Sequence, residues 1–191
     1  MKNHISSLLV LSAVVLSGGA FAADLTCQEM SDQYAIVAGK GFGFAPAEVQ
    51  SAWKQKACST TPQNARKSDL CQEMSDRHGI VAGGTFGSAN ADVQGSWKAM
   101  SCNAKPRSCQ DFSDQYAAVG GKTPGFAPEY VKTVWSTKKC TTQPATARVT
   151  PLCQEMSDRY GIVAGSTFGS ADADVQKSWT ELSCKTSPSS K

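Results

Sequence analysis

The chain has 191 residues, 19 lysines and arginines against 16 aspartates and glutamates, and a formal net charge of +3. Both signs are mixed along its length, which argues against a basic nucleic-acid arm or a cationic membrane-surface patch. Eight cysteines and two histidines, His4 and His78, complete the chemistry-bearing inventory.

Met1–Ala22 reads as a secretory signal. Lys2 gives a positive start, Ile5–Leu16 is a short apolar run, and Ala20-Phe21-Ala22 offers a small-x-small cleavage site. The run is too short to span a bilayer and nothing later approaches that length, so no transmembrane segment is expected. Asp24 stands where a lipid-attachment site needs a small apolar residue. The expected location is periplasmic or extracellular.

From Cys27 onward the chain is one 32-residue cassette written four times: Cys27–Cys58, Cys71–Cys102, Cys109–Cys140 and Cys153–Cys184. Each opens and closes on a cysteine, and each carries Gln-x-x-Ser-Asp, a Val-x-Gly, a second Gly, an Ala, a Val and a Trp. Copies two and four agree at 25 of 32 positions and copies one and three at 18. The linkers Ser59–Leu70 and Thr141–Leu152 also match, which makes the duplicated unit 82 residues long. The domain reading is a signal over 1–22, a first pair of cassettes over 23–102, a short linker at 103–108, a second pair over 109–184 and a polar tail at 185–191.

Within copy one, Cys27, Met30, Tyr34, Val37 and Ala38 recur at helical spacing. Thr26 with Glu29 forms a capping box, and Ser108 with Asp111 its acidic analogue. Copies two and four should start slightly earlier, at Asp69 or at Thr150-Pro151. Gly39, Gly83, Gly121 and Gly165 are placed to stop this helix, although Gly79 and Gly161 offer an earlier stop. A glycine-rich loop follows, Gly39–Ala45 in copy one and Gly84–Ala89 in copy two. The second helix runs from about Pro46 to Cys58, with Pro46, Pro128, Asn90 and Asp172 at its start. Val49 and Trp53 form its apolar stripe, extended by Met100 and Leu182.

Two short helices joined by a short loop make an antiparallel hairpin whose ends carry the cysteines. The expected disulfides are Cys27–Cys58, Cys71–Cys102, Cys109–Cys140 and Cys153–Cys184, each restricting the unfolded chain by roughly 3.5–4 kcal/mol. The fold class is all-α: four tandem disulfide-stapled hairpins in a duplicated four-helix unit. Ser59–Leu70 and Thr141–Leu152 read as mobile linkers.

The cysteine spacing matches no zinc knuckle and no cofactor motif is present, so no metal and no cofactor are expected. Trp53, Trp97, Trp135 and Trp179 fall on the apolar stripe and read as core rather than as sugar platforms. Gln28 with Asp32, Gln72 with Asp76, Gln110 with Asp114 and Gln154 with Asp158 form a repeated polar stripe. They are candidate ligand contacts, candidate seam residues, or anchors for the glycine loop. Phe42, Phe44, Phe86, Phe126 and Phe168 are the loop aromatics available for contact. No acid–base pair at glycosidase separation is specified, so an enzyme is not expected. The reading is a multivalent binding module for a protein or polysaccharide partner. Its alternatives are a glycan- or peptidoglycan-binding protein and, behind it, a small hydrolase or enzyme inhibitor.

Overall fold

The computed structural model describes Ala22 and residues 24–189. The signal reading therefore lies outside the described residues except for Ala22, as do Ser190 and Lys191. Among the described residues from Cys27 onward there are eight helices: α1 Cys27–Tyr34, α2 Ala47–Gln55, α3 Asn64–His78, α4 Ala91–Ala99, α5 Cys109–Tyr116, α6 Glu129–Thr137, α7 Thr146–Tyr160 and α8 Ala173–Glu181. Each cassette is a helical hairpin (α1–α2, α3–α4, α5–α6, α7–α8). The four disulfides close within cassettes as expected, with Cα–Cα distances of 5.4, 5.3, 5.5 and 5.4 Å.

The first helix of each cassette ends a turn before Gly39 and its equivalents. Gly79 and Gly161 take the left-handed conformation immediately after α3 and α7, and Ala35 and Ala117 take it after α1 and α5. Alanine tolerates this conformation poorly, and both methyls are completely buried against the next cassette. Val37 and Ala38, assigned to the helix by spacing, belong to a tight loop in which Val37 and Gly41 form a two-residue bridge. Both capping boxes are present, and Asn90 and Asp172 cap α4 and α8 by accepting from the Val93 and Val175 amides.

The expected mobile linkers are a correction. Residues 59–63 and 141–145 carry no regular secondary structure, and the rest of each stretch is the first half of a 15-residue helix, starting at Asn64 and Thr146. Leu70 and Leu152 are fully buried, four residues before the fully buried Met74 and Met156, and this spacing carries the helix through. Pro151 is inside α7 rather than at its start. It is exposed, and the missing amide frees only the carbonyl of exposed Ala147 for water.

Each tryptophan is buried in the core of its own cassette. Two of these cores are shared. Cassette one lends Ala35, Val37 and Phe44 to the core of cassette two, and cassette three lends Ala117, Tyr116 and Phe126 to that of cassette four. In both pairs the first helices pack together, α1 on α3 and α5 on α7, while α3 on α6 joins one pair to the other.

The first pair is drawn closest at Gly41 and Gly95. A Cβ on Gly95 would lie 2.1 Å from the Lys40 carbonyl oxygen, and one on Gly41 2.2 Å from that of Asp92. Cassette four has Lys177 where cassette two has Gly95. Helix propensity alone would favour Gly95→Lys by about 0.7 kcal/mol. The backbone clash outweighs that, so a net loss of about 1–3 kcal/mol is expected in urea unfolding. Lys177→Gly in the other pair should lose only about 0.7 kcal/mol, by propensity.

Candidate functional site

The repeated Gln/Asp stripe grips backbone. Gln28 Nε2 donates to the Thr61 carbonyl at 3.0 Å and Asp32 accepts from the Gln63 amide at 2.7 Å. Gln72 and Asp76 hold Lys105 and Arg107 in the same way, at 2.9 and 2.8 Å. Gln110 and Asp114 hold Gln143 and Ala145, at 2.9 and 2.6 Å. Gln154 and Asp158 hold Ser187 and Ser189, at 3.0 and 2.7 Å. The partner is thus the extended strap that follows each closing cysteine, not the glycine loop.

Each strap is an x-Pro-x tripeptide: Thr61-Pro62-Gln63, Lys105-Pro106-Arg107, Gln143-Pro144-Ala145 and Ser187-Pro188-Ser189. The proline stands four residues after the closing cysteine every time, a regularity the sequence displays and the cassette boundaries concealed. Proline suits the middle position because it holds the preceding residue extended and brings no amide of its own to satisfy. One residue earlier, the carbonyls of Thr60, Ala104, Thr142 and Thr186 accept from the loop amides of Ala38, Ala82, Gly120 and Ala164.

Between the two pairs the strap acquires a side-chain role. Arg107 donates from Nε and Nη2 to Asp76 at 2.9 and 2.6 Å, and to the hydroxyls of Tyr116 and Tyr130 at 2.9 and 2.6 Å. Burial opposes the guanidinium charge, but the Asp76 and Tyr116 hydrogen bonds prevail and hold Arg107 well above its ordinary range. Burial pushes the Tyr130 phenol up to about 12. Burial, helped by the Arg77 charge, lowers the pKa of His78. A cleft of about 600 Å³ opens beside this network, lined among others by Lys105, Arg107, Tyr116, Phe126, Arg148 and Arg159. Sequence reasoning passed over Arg107 because the other copies carry no arginine at its position.

The loop aromatics do not form one exposed row. Phe126 is buried, edge-on to Tyr116 and beneath Arg159. Phe44 is half-buried, edge-on to Tyr34 and beneath Arg77. Phe42 and Phe86 are half-buried under Lys54 and Lys98. Phe168 is 40% exposed.

The loop valines divide the cassettes more sharply. Val37 and Val119 are buried, at 7% and 2% exposure, Val37 within the core of cassette two, whereas Val81 and Val163 stand open at 43% and 39%. The even cassettes thus present equivalent free loops, Val81 with Phe86 and Val163 with Phe168. No family model, no curated protein and no solved structure matches this chain.

Proposed function

We propose that this chain is an exported, multivalent binding protein whose recognition elements are the two free loops of cassettes two and four, and that it is not an enzyme. The observation that carries this reading is the unequal fate of the four equivalent loops. Two bury their valines, Val37 and Val119, and two leave Val81, Val163 and Phe168 in water. Exposed apolar side chains repeated on equivalent units suit a multivalent partner, because two weak contacts gain by avidity. Four disulfides fit an oxidising compartment outside the cytoplasm. The burial of all four tryptophans and of Phe126 favours this reading over a stacked row of sugar rings.

The test is retention of the chain on a glycan array and on an immobilised cell-envelope fraction. Phe168→Ser with Val163→Ser should leave stability within roughly 0.5 kcal/mol, and Phe86→Ser with Val81→Ser should lose about 1–2 kcal/mol because Phe86 packs on the core of cassette two. Either change should weaken retention at least about tenfold by loss of avidity, and both together should abolish it. Undiminished retention of the quadruple variant would overturn the reading.

A further inference from the structure

We propose that the clamp of cassette four is a binding site for an extended x-Pro-x peptide, held at rest by the chain's own strap and open to exchange for a proline-containing segment of a partner protein. The clamp adjoins the loop of cassette four through the Ala164 amide and the Thr186 carbonyl. It uses Gln154 and Asp158 rather than the loop's apolar side chains, so the variants of the two tests differ and either reading can fail without the other.

The clamp is built four times with one geometry, and the structure shows what it accepts. Its two shortest contacts are to main chain, Gln154 Nε2 donating to the Ser187 carbonyl and the Ser189 amide donating to Asp158. The Ser189 hydroxyl adds longer bonds to the same two side chains, at 3.2 and 3.4 Å. The tripeptides in the four clamps share only the proline, flanked by Thr and Gln, Lys and Arg, Gln and Ala, or Ser and Ser. A seat that tolerates such flanks reads the backbone, and proline favours it by fixing the shape of the chain in advance, as in known grooves for proline-rich segments.

Cassette four differs in what lies over its strap. Pro62 and Pro144 are buried and Pro106 is half-buried. Ser187, Pro188 and Ser189 are all exposed, and so is Asp158, whereas Asp76 is buried. Strap four is therefore the most exposed of the four among the described residues. It is retained by its own hydrogen bonds, including Thr186 Oγ1 to the Cys153 carbonyl at 3.1 Å. An incoming peptide can form the same bonds, and its competitor is a tethered strap at an effective concentration of about a millimolar.

Ser189→Pro in the full chain removes the amide that Asp158 accepts, so it loosens the strap without truncation. Binding is read by fluorescence polarisation of a labelled peptide, Lys-Thr-Ser-Pro-Ser-Ser-Lys. The Ser189→Pro chain should bind it at least about tenfold more tightly than the wild type, as release from a tethered competitor requires. Binding should fall at least about tenfold with a Pro→Ala peptide, and again when Asp158→Asn is added, the size of one lost charge-assisted hydrogen bond. Circular dichroism and non-reducing mass determination establish that each variant retains the fold and four disulfides. A folded Ser189→Pro chain that binds no peptide up to about 5 mM, above the tether's own concentration, overturns the proposal. Equal binding by wild type, by the Pro→Ala peptide or by Asp158→Asn would overturn it too. A concentration-dependent wild-type dimer that Asp158→Asn dissolves would assign the seat to a second copy instead of a partner protein.

Discussion

Asp76→Ala is expected to destabilise the chain by about 3–5 kcal/mol, the range for breaking a buried ion pair from one side. The Asp76 side chain is fully buried and that of Arg107 is 15% exposed. Removing the carboxylate leaves the guanidinium with Tyr116, Tyr130 and Gln115, none of which carries a balancing charge. It also leaves the Arg107 amide without its acceptor. The equivalent Asp158→Ala should lose only about 1 kcal/mol, because Asp158 is exposed and its strap donors can turn to water. Urea unfolding of the two variants side by side makes the comparison. Losses of similar size would show that the Arg107 network does not hold the seam. Adding Arg107→Met to Asp76→Ala should recover part of the loss, since the stranded charge is then gone.

The second large effect is on the disulfides. Replacing Cys27 and Cys58 together by alanine should destabilise the chain by about 3.7 kcal/mol, from the closure entropy of a 32-residue loop. Domains of this size have about 5–15 kcal/mol in total. One missing bridge should therefore lower the unfolding midpoint sharply, and two should leave the chain substantially unfolded at body temperature. Thermal unfolding under non-reducing conditions measures this, with peptide mapping to establish that the remaining bridges are unchanged. A shift of less than about 1 kcal/mol would mean that the core clusters alone hold the hairpin.

The hairpin was legible because its signals are local. Thr26 with Glu29, Asn90 and Asp172 declare helix starts, and Val49 with Trp53 declares a buried face. What was not legible depends on neighbours. Ala35 and Ala117 end their helices in a conformation that alanine disfavours, and the buried methyl contact that accompanies it lies in another cassette. Asn64–Leu70 looks like a linker by composition and is helical where Leu70 reaches the core. Of the candidate site residues, Gln28, Asp32 and their equivalents were recognisable as a stripe, but their partners lie 31 to 33 residues on, across a disulfide. The difference between covered Val37 and open Val81 is a matter of which cassette stands next to which.

The closure of each bridge between consecutive cysteines has a consequence for biogenesis. Eight thiols released together can pair in about 105 ways, of which one is native. A chain threaded amino end first into an oxidising compartment meets no such choice. Cys27 has only Cys58 to wait for, and the first ring can shut before Cys71 arrives. By the time Cys102 is through, both rings of the first pair can be complete and the Ala35–Trp97 core assembled. Order of arrival then does the work of an isomerase, and yields from vectorial export should exceed those from refolding the reduced, full-length polypeptide.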